Sequence, residues 1–256
     1  MYGRKEGLTV NIYRTSEVAK IVGLHPNTVR RYEEWGLIPQ AEREENGYRR
    51  FTDFHIAMIQ LAQTAFQVEV LQKGLRKKMV GVIQSAAKKD FEQASQLADD
   101  YLQQIQKEQQ QAREAITAVE ALLSGKNEQL KPMKRKETAD YLAITVDALR
   151  NWELNGLLLV KRRDNNYRIY TAEDINRLRI IRILRNANYS LEAILRLLNT
   201  IDNPLPAAAI TGLLNTPAAD EEIISVCDTL IDSLELAEKN AKLVKKKLQE
   251  MNRTFN

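Results

Sequence analysis

The residues best suited to chemistry in this 256-residue chain are arginines and tyrosines, and they recur. Arg30-Arg31-Tyr32 and Tyr48-Arg49 in the first half have counterparts in Arg150-Asn151-Trp152 and Tyr167-Arg168 in the second. A guanidinium presents a planar fork of N–H donors that fits a phosphate or the edge of a guanine. A tyrosine adds a hydroxyl donor on a rigid stem. Such a set binds polyanions and does not break bonds. Two histidines (His25, His55) and one cysteine (Cys227) leave no material for a histidine metal site, a thiolate cluster or a nucleophile–base pair. The chain has no P-loop, no glycine-rich dinucleotide turn and no paired catalytic set. The expectation is a binding protein, not an enzyme, without metal or cofactor.

Charge points to the same class of partner. The net charge is +4, but its distribution is uneven. Residues 131–200 carry 14 basic and 8 acidic side chains, a local +6, whereas 201–256 carry 6 and 9, a local −3. The basic block favours a polyanion. With 10 Gly and 6 Pro against abundant Ala, Leu, Gln, Glu and Lys, the composition favours helices. No run approaches 18 apolar residues, and the start MYGRKEGLTVNIYRT has no apolar signal core. These features predict a cytoplasmic protein with no membrane partner.

The elements that must position the arginines come from an internal repeat. TSEVAKIVGLHPNTVRRYEEWGLI (15–38) and RKETADYLAITVDALRNWELNGLL (135–158) match at a shift of 120. Identities include Glu17/Glu137, Ala19/Ala139, Arg30/Arg150, Glu33/Glu153, Gly36/Gly156 and Leu37/Leu157. NGYRRFT (46–52) and NNYRIYT (165–171) match after one deletion. Each copy predicts a short helix (16–22, 136–142), a tight turn and a second helix (26–34, 146–154). Pro26 suits a first helical position, Thr145 is a good N-cap, and Gly36 and Gly156 stand where helices end. The pattern is a helix-turn-helix, whose second helix fits the major groove. A two-stranded wing follows, turning at Asn46-Gly47 in copy one and at Asn165-Asn166 in copy two.

At this level of detail TVRRYEEWGLIP and NGYRRFT resemble the MerR family of bacterial transcription regulators, with ALRNWELNGLL and NYRIYTAEDI as a more divergent second copy. The resemblance implies winged helix-turn-helix proteins that dimerise through a long antiparallel helix and distort promoter DNA for RNA polymerase. It departs from the one-headed protomer of that family by repeating the head. By resemblance, Arg30, Arg31 and Tyr32 sit on the first recognition helix, and Arg43, Tyr48 and Arg49 on or beside its wing, in contact with phosphate. Arg150, Trp152, Arg162, Arg163, Tyr167 and Arg168 are the second-copy counterparts. The expected base readers lie near the recognition-helix N-termini: His25, Asn27 and Thr28, then Thr145 and Asp147. Asp147 is a poor neighbour for phosphate and suits a helix start better.

Packing readings compete at several positions. Arg30 and Arg150 could pair with Glu33 and Glu153 on solvated faces. Phe51 and Tyr170 suit the inside of a wing, Trp35 suits packing, and His25 suits a cap. His55 has no evident role.

Downstream, Ile223, Cys227, Leu230, Leu234, Ala237, Ala241, Val244, Leu248 and Met251 alternate steps of four and three, about 43 Å of helix. Leu102, Ile105, Gln109, Ala112, Ile116, Val119 and Leu123 repeat the pattern. The predicted fold is mainly α. Residues 10–70 form head one, 71–123 a connector and long helix, 124–132 a linker, 133–200 head two, and 201–256 a second connector and long helix. The connector at 201–219 predicts a short apolar helix between turns. The two long helices are expected to pair as an antiparallel coiled coil, making one chain a pseudo-dimer. A four-headed homodimer is the alternative arrangement. The expected function is a sequence-specific regulator that distorts promoter DNA at an imperfect palindrome on duplex DNA. The alternative is an architectural or excisionase-like accessory protein. Wing one is acidic around Arg43, and wing two reads Lys161-Arg162-Arg163, so head two is expected to supply more of the salt-dependent affinity.

Overall fold

A computed structural model describes residues 11–67, 74–125, 130–160, 168–200, 205–216 and 229–256. The described residues are mainly helical, and they divide into two compact units, Met1–Ile105 with Leu236–Asn256, and Gln106–Glu235. No helix among them is long and apolar enough to cross a membrane.

The first unit opens with β1 (Ile12–Tyr13), α1 (Thr15–Val22) and α2 (Pro26–Glu34). Glu17 explains one repeat identity: its carboxylate accepts the Arg14 backbone N–H at 2.6 Å, satisfying an orphan donor at the helix start. Between the helices Gly23 adopts φ 68°, and Pro26 is the first residue of α2, as its fixed φ favours. Gly36 follows with φ 67°, where the Leu37 N–H reaches the Tyr32 carbonyl at 2.9 Å and closes the helix. The wing is β2 (Glu42–Arg43) paired antiparallel with β3 (Arg49–Thr52), in the register Glu42↔Arg50 and Arg43↔Arg49. The structure adds a third strand, since β1 pairs with the other edge of β3 through Ile12↔Thr52 and Tyr13↔Phe51. The wing is thereby anchored to the start of α1, which the sequence pattern did not predict.

Helix α3 (Asp53–Ala65) begins at a capping box in which His55 Nδ1 accepts the Thr52 N–H at 3.0 Å. The His55 role missing from the sequence reading is therefore a cap. Helices α4 (Leu75–Ala87) and α5 (Phe91–Ser124) follow. The core of the head gathers Val18, Val29, Ile38, Phe51, Met58 and Leu61, all 2% exposed or less.

The second unit repeats the plan with β4 (Met133–Lys134), α6 (Arg135–Tyr141), α7 (Val146–Leu154), β5 (Ile169–Tyr170) and α8 (Ala172–Asn186). Glu137 accepts the Lys134 N–H at 2.8 Å, as Glu17 does for Arg14. Thr145 caps α7, accepting the Ala148 N–H at 3.0 Å. In the tight turn Ala143 takes φ 48°, the left-handed conformation that Gly23 supplies in the first copy. Strands β4 and β5 pair as Met133↔Tyr170 and Lys134↔Ile169. The apolar run Leu157–Val160 forms no strand; Leu157 and Leu158 are buried, whereas Leu159 is exposed. The wing tip, with Arg162, Arg163 and Tyr167, lies outside the described residues. Helices α9 (Leu191–Thr200), α10 (Ala207–Asn215) and α11 (Leu230–Phe255) complete the chain. The short apolar helix expected between turns is α10.

The long helices carry most of the predicted stripes, with Leu102 and Leu123 of α5 only half-buried. Leu230, Leu234, Ala237, Ala241, Val244, Leu248 and Met251 are all buried, whereas Ile223 and Cys227 lie outside the described residues. On α5, Ile105, Gln109, Ala112, Ile116 and Val119 are buried, joined by Tyr101 and Glu108. Each unit combines one head with helix from the other copy. In the first unit, Asn240 of α11 donates to the Thr64 carbonyl at 2.7 Å, and Lys245 pairs with Asp99 of α5 at 2.5 Å. Phe255 packs on Phe54, which also meets Phe91 at the start of α5, so the two helices run in opposite directions there. In the second unit Asn188, beyond α8, donates to Glu108 of α5 at 3.0 Å, and Arg113 of α5 pairs with Glu235 of α11 at 3.2 Å.

Candidate nucleic-acid interface

In the first head the predicted site residues fall on α2, its N-terminal turn and the wing. His25 is the exposed N-cap, and its Nδ1 accepts the Asn27 N–H at 3.2 Å. Asn27 is exposed and its Oδ1 accepts from Arg30 Nη1 at 2.9 Å; Thr28 is half-buried. Arg30 thus leans toward the N-terminus of its helix and pairs with Asn27, not with Glu33 as the packing reading allowed. Arg31 is exposed, and Tyr32 is half-buried with its phenol pushed upward by desolvation. Trp35, read from the sequence as a packing residue, is instead 56% exposed beside Tyr32, with ring centroids 6.5 Å apart.

On the wing, Arg43 and Tyr48 are exposed. Arg43 Nη1 approaches the Gly47 carbonyl at 3.4 Å, and the Arg14 guanidinium lies 5.5 Å from the Tyr48 ring centroid. Arg14 was not among the predicted residues. Its signal, a cation immediately before the first helix, is too short to stand out in one sequence.

Arg49 is placed differently. Its Nε donates to Glu33 Oε2 at 2.6 Å, and the other Glu33 oxygen accepts the Ala41 N–H at 3.0 Å. Glu33 therefore ties the recognition helix to both strands' approaches. The identity Glu33/Glu153 was the available signal for this role.

In the second head Thr145, Asp147 and Arg150 are exposed on α7 or its cap. Trp152, expected by resemblance to face DNA, is buried at 7% exposure. It stands at the register occupied by the half-buried Tyr32 in copy one, and the larger ring gains more by leaving water. Arg168 Nε lies 3.1 Å from Glu153 Oε2, the second-head equivalent of the Arg49–Glu33 pair. Here the cluster is larger. Arg135 Nη2 also donates to Glu153 Oε2 at 2.5 Å, Arg135 Nε donates to the Tyr170 hydroxyl at 3.3 Å, and that hydroxyl donates to Glu153 Oε1. Burial and the carboxylate push the Tyr170 phenol up to about 12.

A helix pair with a capped turn is present twice, and in the first head it is joined by a strand-anchored wing and exposed arginines. Comparison with known proteins agrees. The family described as MerR family regulatory protein matches residues 14–51, and that described as MerR HTH family regulatory protein matches residues 133–201. The chain thus carries two MerR-type heads in tandem. Among similar curated proteins is the HTH-type transcriptional regulator CueR of Escherichia coli O6:H1, 47% identical over 53 residues, which is 21% of this chain and 39% of that protein. CueR of Salmonella typhi is 45% identical over 53 residues, 21% of this chain and 38% of its own. An uncharacterised HTH-type transcriptional regulator of Haemophilus influenzae is 39% identical over 51 residues, 20% and 38% of the two chains. The matches thus span less than two fifths of the length of these relatives. No solved structure matches the chain.

Proposed function

We propose that this protein is a sequence-specific DNA-binding transcription regulator in which two unequal heads on one chain act as an intramolecular pseudo-dimer. The observation that carries the reading is the composition of the compact units. Each joins one head to helix from the other copy: α3 to Asn240 of α11, and the α8 end to Glu108 of α5. This exchange is what an antiparallel coiled coil of α5 and α11 requires, and it supports a pairing made within one chain.

Both recognition helices enter successive major grooves, with His25, Asn27, Thr28 and Thr145 nearest the base edges. Arg30, Arg31, Arg43, Tyr48, Arg150, Arg162, Arg163 and Tyr167 contact phosphate, and Arg49 and Arg168 join them from their seats on Glu33 and Glu153. Such contacts position the heads more than they read sequence. Because the heads differ, the site is an imperfect palindrome. Binding both halves bends or untwists the DNA between them, at a cost set by its sequence. The distorted promoter is then presented to RNA polymerase.

Selection of bound duplexes from random DNA tests the reading. It is expected to yield two related but unequal half-sites at fixed spacing. Light scattering of the complex is expected to give one chain per site. Recovery of no preferred sequence overturns the regulator reading, and two chains per site overturns the pseudo-dimer in favour of a homodimer.

A further inference from the structure

The geometry points to Arg135 as a phosphate-binding residue of the second head, acting with Arg168 on one DNA phosphodiester group. This inference rests on the DNA-binding reading above. The residue has no counterpart in the first head, where the repeat places Thr15. It lies in the first turn of α6, the leading helix of the helix-turn-helix, and in such motifs that helix crosses the DNA backbone while the second enters the groove.

Charge balance separates the two heads. In head one, among the described residues, Arg49 pairs with Glu33 alone, one cation against one carboxylate. In head two, Arg135 and Arg168 both address the same oxygen of Glu153, at 2.5 and 3.1 Å. Among the described residues, two guanidiniums stand against one carboxylate, an excess of one positive charge. Glu153 is nearly enclosed, its side chain 9% exposed, whereas Arg135 and Arg168 are 28% and 31% exposed. The anion is therefore the buried member, and the cations form the outer face. The Tyr170 hydroxyl is held between Glu153 and Arg135 and steadies the latter's plane. In head one the residue at that position is Phe51, fully buried and without a hydroxyl. The Arg135/Tyr170 pair is thus a joint difference between the copies, and both members converge on Glu153.

Two guanidiniums pinned by a shared carboxylate have already lost most of their rotamer freedom. A phosphate arriving between them meets fixed donors and pays little ordering entropy. The ligand class is the phosphodiester of duplex DNA, whose neutralisation releases counterions and is read as salt dependence.

The experiment is a salt titration of DNA affinity with the whole protein: wild type, Arg135→Thr, Arg135→Lys, and the transplant Thr15→Arg/Phe51→Tyr in head one. Each lost phosphate contact lowers the slope of log K against log salt by about 0.9. Arg135→Thr is expected to lower it by that amount, Arg135→Lys to keep it, and the transplant to raise it by a similar amount. If Arg135→Thr weakens folding alone, with the slope unchanged and no gain from the transplant, Arg135 is only a brace and the inference is overturned. A wild-type protein without salt-dependent DNA binding overturns the regulator reading itself, a separate outcome.

Discussion

Glu33 of the recognition helix and Arg49 of the wing strand form an ion pair at 2.6 Å, and Glu153 and Arg168 repeat it at 3.1 Å in the other head. In each head the pair couples the second helix of the helix-turn-helix to the strand segment that follows it. Because Glu33 is mostly covered and Arg49 partly so, it lies between a surface and a buried pair in energy. A double-mutant cycle on Glu33→Gln and Arg49→Met, followed by urea unfolding, is expected to give a coupling of about 1 kcal/mol. Additivity of the two substitutions would mean that the pair does not brace the wing.

His55 makes the stability of the first head depend on pH. Its Nδ1 accepts the Thr52 N–H, so the neutral ring is the capping form. Burial lowers its pKa, opposed in part by the Glu33 and Glu42 carboxylates and the Gln40 carbonyl. The folded state thus holds its proton less tightly than the unfolded chain. The stabilisation is complete above the unfolded value, about pH 6.5, and is lost as pH falls toward the lower folded value. Melting curves from pH 7.5 to 5 are expected to show this loss, and His55→Gln, which keeps an acceptor without a titrating ring, is expected to flatten it. An equal pH dependence in the variant would assign the effect elsewhere.

The tight turns invite opposite substitutions. Ala143 holds φ 48° and Gly23 holds φ 68° at the same place in the repeat. Ala143→Gly is expected to stabilise the second head and Gly23→Ala to destabilise the first, each by about 1 kcal/mol, since only glycine occupies this region without a Cβ penalty. Thermal denaturation measures both.

Asn240 donates to the Thr64 carbonyl in the last turn of α3 at 2.7 Å, sharing that oxygen with the Gln67 N–H at 3.3 Å. Asn240→Ala leaves the carbonyl with only the longer of its two partners, and is expected to cost about 1 kcal/mol in urea unfolding. A neutral result would show that α11 is held on α3 by its apolar stripe and by Lys247, which donates to the Thr64 hydroxyl at 2.9 Å.

The two wings are expected to differ in salt dependence. Arg162→Ala/Arg163→Ala removes two cations from the basic tip of wing two, and Arg43→Ala one from an acidic stretch of wing one. The double variant is expected to lower the salt slope by about 1.8 and Arg43→Ala by at most about 0.9. A larger change from Arg43 would reverse the ranking of the heads.

The recognition helices Pro26–Glu34 and Val146–Leu154 were legible in the sequence to the residue, as were the Thr145 cap and the buried stripe from Leu230 to Met251. These are local features. Capping, helix termination and a four–three apolar period are each decided within a few residues by backbone donors and by which face repels water. The pairing of Glu33 with Arg49, 16 residues away, was not legible, because a guanidinium takes whichever carboxylate the fold desolvates beside it. Nor were the exposure of Trp35, which suited packing, and the burial of Trp152, which was expected to face DNA. Burial of a ring depends on which other elements arrive to cover it, and no local pattern records that. The repeat itself determined that there are two MerR-type heads; tertiary packing decided that each is completed by helix from the other.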